Sequence, residues 1–157
     1  MPCEVIYKRA PNVNTLSLFR PGGCRRGETA GGCPNFPTAV NNPQFFLTLT
    51  RPTKLFISLA QEETRGTGRD DLHIGFMVVD KKGKRVRRLF KGQRVANSGQ
   101  YINRREVSCE ITLEPKSYPY TIFPSAFNAG DEARFTLTVH SDYPVTLEAI
   151  PTSVEAE

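Results

Sequence analysis

Phe135-Thr136-Leu137-Thr138-Val139-His140 alternates apolar and polar residues without a break. Successive side chains of an extended chain point to opposite faces, so Phe135, Leu137 and Val139 share one face while Thr136, Thr138 and His140 share the other. A helix would spread both sets around its circumference. The segment therefore predicts a half-buried β-strand. The same period runs through Glu106–Leu113, where Val107, Cys109, Ile111 and Leu113 face inward and Cys109 serves as a small, chemically quiet hydrophobe.

Outward from these two segments, apolar runs rich in Val, Ile, Leu, Phe and Thr recur between Phe45 and the C-terminus, separated by Gly, Pro, Asn or charged turns. The runs predict strands at Gln44–Thr50, Lys54–Ala60, His73–Asp80, Arg85–Leu89, Glu106–Leu113, Tyr118–Phe123, Ala133–His140 and Val145–Ile150. Their sum is an all-β fold, an antiparallel eight-stranded β-sandwich of two four-stranded sheets with little helix. Residues 1–40 carry too many Pro and Gly for a regular sheet and read as an arm laid across the sandwich, with a short strand at Thr15–Phe19. The sandwich is expected over 41–151, and the polar tail 152–157 is expected to fray.

A chain of 157 residues suits one domain. Its 38% hydrophobic and 24% charged residues are ordinary for a soluble protein. No apolar run approaches the ~20 residues that a membrane-spanning helix needs. Met1-Pro2-Cys3-Glu4-Val5 lacks the pattern of a secretory leader, so the expected location is cytoplasmic, with peripheral association at membranes. Cys3, Cys24, Cys33 and Cys109 form no Cys-x-x-Cys pair, and with only His73 and His140 they make a poor zinc set. A Cys24–Cys33 disulfide is sterically conceivable, but an intracellular setting favours reduced thiols.

Arg26-Gly27-Glu28-Thr29-Ala30-Gly31-Gly32-Cys33, followed by Asn41-Asn42-Pro43-Gln44-Phe45, resembles the junction at which a calpain's protease core passes into its C2-like β-sandwich. In calpains this junction reads Trp, two residues, Gly, one residue, then Thr/Ser-Ala-Gly-Gly-Cys, with Asn-Pro-Gln and an aromatic opening the first strand. Gly27, Thr29–Cys33 and Asn42–Phe45 stand in those places. Cys33-Pro34-Asn35-Phe36 and Asn41-Asn42-Pro43 are most similar to the PalB or calpain-7-like branch. Cys24 stands where the family has Trp, and Ala39-Val40 where it has Phe-Trp. Further on, Tyr120–Leu137 resembles the calpain pattern of a Tyr-led strand, a Pro-Ser turn, a Gly spacer and a returning strand. The resemblance runs from Gly27 to Ile150.

Calpain peptidase chemistry needs a Cys nucleophile, a His base and an orienting Asn held across a cleft. None of the cysteines has that context, and both histidines fall in strand patterns, so no catalytic residue is assigned. Ser125 lacks the Gly-x-Ser-x-Gly elbow, and Gly66-Thr67-Gly68 lacks the Lys-Ser/Thr and helix start of a phosphate loop.

Two charged segments remain. In the first, Lys81, Lys82, Lys84, Arg85, Arg87, Arg88 and Lys91, with Arg94 beyond, surround a reversal at Gly83 and read as a basic hairpin. Such a cluster suits anionic phospholipid headgroups, at about 1 kcal/mol per basic residue near the surface. It equally suits a hairpin that merely stays solvated and repels strand pairing. Nucleic acid is disfavoured, because no stacking aromatics interleave the charges. In the second segment, Glu62, Glu63, Asp70 and Asp71 offer oxygens of the kind Ca²⁺ takes. Arg65 and Arg69 neutralise half of that charge, which favours a solvated loop with internal ion pairs over a metal site.

The resemblance implies a non-catalytic regulatory and interaction domain of a calpain-type cysteine protease. It would bind anionic phospholipid or neighbouring domains, require no cofactor, take Ca²⁺ as its only candidate metal and be a monomer. Its partners would be the parent's protease core and adjoining domains. The competing reading is a free-standing adaptor sandwich with a protein partner and no protease attached.

Overall fold

The computed structural model describes residues 6–9, 16–24, 42–61, 66–68, 70–86, 94–128 and 133–150. They form ten strands: β1 (Ile6–Arg9), β2 (Leu16–Cys24), β3 (Gln44–Leu49), β4 (Thr53–Gln61), β5 (Ile74–Val79), β6 (Arg94–Asn97), β7 (Glu106–Leu113), β8 (Tyr120–Ala126), β9 (Ala133–Ser141) and β10 (Val145–Ile150). One sheet has the order β1-β2-β9-β4-β7 and the other β10-β3-β8-β5-β6. Every pairing is antiparallel.

The all-β antiparallel sandwich expected from the alternation is what forms, with eight of the strands lying between Gln44 and Ile150. Two details differ. Leu16–Cys24 hydrogen-bonds along the whole of β9 from Leu16↔Ser141 to Cys24↔Ala133, and with β1 and β2 added to β9, β4 and β7 each sheet has five strands, where two four-stranded sheets were expected. Its Pro21-Gly22-Gly23 tip argued against a sheet position, yet the β1–β2 pair adds at the sheet's end, where such residues are best tolerated. The second difference is that Arg85 and Val86 are not in a strand, while residues 87–89 lie outside the described ones. The eighth strand of this region is β6 instead, paired with β5 through an irregularity between Val78 and Val79.

The core lies where the inward rows of the two sheets meet. Leu55, Ile57, Leu59, Leu137 and Val139 pack there against Phe45, Leu47, Phe76, Ile122 and Leu147, all at most 2% exposed. The ring of Phe45 meets that of Phe135 edge-on, with centroids 6.3 Å apart. Alternation runs through Thr53–Ile57 of β4 in the first sheet, where Phe56 and Lys54 face solvent between buried neighbours. It fails in β5 and β8, which are buried at every residue. Met77, Val79 and Phe123 point away from the main core and form a second cluster with Val86. Ile74-Gly75-Phe76-Met77-Val78-Val79 is apolar throughout because both faces of β5 are covered.

Close approach also explains Gly75. The Tyr101 ring lies so near that a Cβ on Gly75 would stand 2.8 Å from it. The Tyr101 hydroxyl in turn shares a 2.7 Å hydrogen bond with Ser125 Oγ on β8.

Candidate functional site

The basic segment begins with a turn that its residues specify. Lys82 (φ 55°) and Gly83 (φ 76°) are both left-handed, and the Lys84 N–H donates to the Lys81 carbonyl at 3.2 Å, which makes a type I′ reversal. Asp80 Oδ1 accepts from the Lys82 N–H at 3.2 Å, and Asp80 Oδ2 from the Tyr118 hydroxyl at 3.4 Å. Gly83 packs against Tyr118 and Pro119, where a Cβ would come within 3.2 Å of both. The expected reversal at Gly83 is therefore present.

Beyond the turn, Lys84–Val86 does not form the returning arm of a hairpin. The chain crosses the outer face of the second sheet: Thr121 Oγ1 on β8 donates to the Lys84 carbonyl at 3.1 Å, and Val86 is fully buried in the second cluster. Gln44, itself 1% exposed, holds Val86 by both backbone groups. The Val86 N–H donates to Gln44 Oε1 at 2.6 Å, and Gln44 Nε2 donates to the Val86 carbonyl at 3.0 Å.

Arg85 is the correction that matters most for the site. Grouped by sequence with the residues that project into solvent, it is only 9% exposed, and its Nη2 donates to the Asn42 carbonyl at 2.9 Å. Placing Val86 in the apolar cluster draws its neighbour down with it, and a guanidinium can be buried where carbonyls meet its fork of donors. Lys82 and Lys84 are exposed and Lys81 is half-buried, so these lysines form the basic surface of this segment, with Arg94 exposed on β6. Arg87, Arg88 and Lys91 lie outside the described residues.

In the oxygen-rich loop, Asp70 is exposed and Asp71 half-buried, while Glu62 and Glu63 lie outside the described residues. Among the described residues, no group of three or more His, Cys, Asp or Glu side chains is gathered in a way that could hold a metal ion. The root of the loop is held by Gln61. This side chain, 5% exposed, accepts from the Leu72 N–H at 3.0 Å and donates through Nε2 to the carbonyls of Leu72 and Arg104, both at 2.8 Å.

Gln44 and Gln61 thus do the same work in the two candidate regions, each presenting a side-chain amide as if it were a peptide unit. In the sequence Gln44 stands out only as part of the Asn-Pro-Gln motif, without a structural role, and Gln61 does not stand out at all. The available signal was a glutamine at the end of a strand pattern, where burial on either face demands partners.

Nothing among the described side chains resembles an activated nucleophile. The Cys109 thiol is half-buried against the core, and burial pushes its pKa up to about 11. Nucleophilic cysteines are shifted in the opposite direction. At pH 8 such a thiol is ionised in only about one molecule in a thousand, so alkylation of Cys109 in the native protein is expected to be far slower than after unfolding, as peptide mapping would read. Because the folded-state pKa is raised, this residue's contribution to stability is present below pH ~9 and is lost as pH rises towards ~11.

His140 sits half-buried on the outer face of β9, its ring centroid 6.0 Å from that of the exposed Phe56. These two residues, the 2.8 Å Lys54–Glu110 ion pair and Asp142 border a shallow depression of about 160 Å³. It lies on the outer side of the first sheet, whereas the basic turn lies on the second.

The family model described as calpain large subunit, domain III matches residues 21–140. The chain belongs to the calpain domain III family. Three relatives illustrate the range. The calpain-type cysteine protease ADL1 of rice is 33% identical over 142 residues, covering 80% of this chain and 7% of the rice protein. The calpain-type cysteine protease DEK1 of Arabidopsis thaliana is 34% identical over 150 residues, covering 84% and 7%. The serine/threonine-protein kinase 4 homolog B of Dictyostelium discoideum is 35% identical over 132 residues, covering 79% and 11%. The chain thus spans about a tenth or less of the length of these relatives. The similarity establishes the family without singling out the PalB or calpain-7-like branch. Domain III is a non-catalytic domain of calpain-type proteases, and it is the domain to which residues 21–140 of this chain match.

Proposed function

We propose that this domain III is a regulatory and interaction module of a calpain-type cysteine protease, and that its Lys81–Lys84 turn engages anionic phospholipid surfaces. The observation that carries the reading is the presentation of the charge. Lys82 and Lys84 stand exposed on a type I′ turn whose base is pinned by Asp80, Thr121 and Gln44, so they meet a surface with little ordering left to do. The domain is then a cytoplasmic protein peripheral at the membrane, with the parent's protease core and neighbouring domains as its protein partners. Ca²⁺ is an accessory through the Glu62–Asp71 loop rather than a requirement.

Co-sedimentation with vesicles containing anionic lipid, with and without Ca²⁺, tests this. Loss of Lys82 and Lys84 removes about 2 kcal/mol, so the variant Lys82→Glu/Lys84→Glu is expected to bind at least about thirtyfold more weakly. Binding is also expected to fall as salt rises. Equal binding by the variant would remove the turn from the interaction. Dependence on Ca²⁺ would bring the loop in.

A second reading has its own support. One relative is named as a protein kinase rather than a protease. In that reading the sandwich is an adaptor that recognises a protein partner with no protease attached, and the folded chain binds no vesicles under any condition.

A further inference from the structure

The segment Asp80–Val86 behaves as a strap. It leaves β5, passes over β8 where Thr121 holds the Lys84 carbonyl, and reaches the start of β3, where Asn42 holds Arg85 and Gln44 holds Val86. It therefore runs across three neighbouring strands of the sheet instead of along one of them. Of its residues only Val86 enters the second cluster, so lifting the strap opens that four-residue cluster of Met77, Val79, Val86 and Phe123 and leaves the main core closed.

The two bonds between the Gln44 amide and Val86 have the form of one rung of a ladder, made by a side chain. Without that amide, the Val86 N–H and carbonyl would be buried and unpaired. Unfolding the sandwich is not needed to relieve them, because a lifted strap lets water reach both groups.

We propose that Gln44 is a positioning residue for the basic turn, a latch that fixes the Lys81–Val86 strap on the outer face of the second sheet and opens locally, well below global unfolding. Its ligand consequence rests on the anionic-surface reading above. A latched strap presents Lys82 and Lys84 in a single arrangement, and an open one must be ordered on binding. By reciprocity, a bound anionic surface tightens the latch. Asn42 and Gln44 also stand where the chain enters β3, so the latch ties the basic surface to that point.

Amide hydrogen exchange read residue by residue tests the latch on the whole chain, in three forms: unmodified, Gln44→Met and Thr121→Val. The Val86 amide is expected to exchange about tenfold or more faster in Gln44→Met, while Ile57 and Leu137 in the first sheet keep their rates. Thr121→Val, which loosens the strap at its middle and preserves side-chain volume, moves Val86 in the same direction by less. It keeps the test decisive if Gln44→Met does not fold. With vesicles of phosphatidylserine in phosphatidylcholine, Gln44→Met is expected to need about fivefold more lipid for half-saturation. Val86 exchange in the unmodified chain is expected to slow on binding.

An unchanged Val86 rate in both variants overturns the latch. Faster Val86 exchange with unchanged vesicle affinity overturns its positioning role. If the unmodified chain binds no vesicles, the anionic-surface reading fails, and the Val86 rates alone then uphold or overturn the latch.

Discussion

Phe45→Ala is expected to lower the unfolding free energy by about 3–5 kcal/mol, the largest loss from any single truncation considered for this fold. Phe45 is 2% exposed and sits opposite both Ile122 and Ala149 in a strand flanked on each side. It also meets Phe135 of the other sheet edge-on, at an interplanar angle of 79°. The truncation therefore removes contacts within one sheet and between the two, in an interior that cannot collapse to fill the gap. For a domain of this size the melting temperature is expected to drop on the order of 10 °C. The control is Phe56→Ala: Phe56 is 40% exposed on the outer face of β4, and its loss is expected to stay within about 0.5–1 kcal/mol. Similar losses for the two variants would mean that the sandwich interface is not where the stability lies.

Gln61→Leu is expected to cost about 3 kcal/mol although it adds apolar surface to a buried site. The side chain serves three backbone partners at once: the Leu72 N–H, the Leu72 carbonyl and the Arg104 carbonyl. Leucine fills a similar volume and satisfies none of them, so each is left without its partner in a part-buried position. Urea denaturation should show a lower midpoint with an unchanged slope, because the folded state loses bonds and not compactness. Gln61→Glu keeps an acceptor for the Leu72 N–H but turns a charged oxygen towards the Leu72 and Arg104 carbonyls, so at neutral pH it is expected to cost at least as much as the leucine variant. A loss below about 1 kcal/mol for the leucine variant would mean that water takes over all three bonds.

The candidate regions were visible in the sequence as charge, and their geometry was not. Lys81-Lys82-Gly83-Lys84 announces a basic turn, and the turn forms where Gly83 predicts it. A run of like charges reads as uniformly solvated, however, because each residue is judged by its own side chain. Arg85 breaks the run because Val86 belongs to a cluster with Met77, Val79 and Phe123, and the carbonyl that receives the guanidinium is 43 residues away in the chain. The roles of Gln44 and Gln61 were hidden for the same reason, since the backbone groups they satisfy are set by packing and not by neighbours in sequence.

By itself the sequence determined the fold class and the family. Period-two alternation is a property of the extended chain at each residue, so Phe135–His140 and Glu106–Leu113 declare their inner faces before any partner is known. The Thr29–Cys33 and Asn42–Phe45 motifs lie within a family match that spans 21–140. Only the tertiary structure decided that β2 joins β9, that β5 and β8 are covered on both faces, and that Arg85 turns inward. Each of these depends on which distant backbone groups and apolar surfaces come together. Burial and hydrogen-bond satisfaction are settled over the whole assembled sheet, and no local window of residues contains that information.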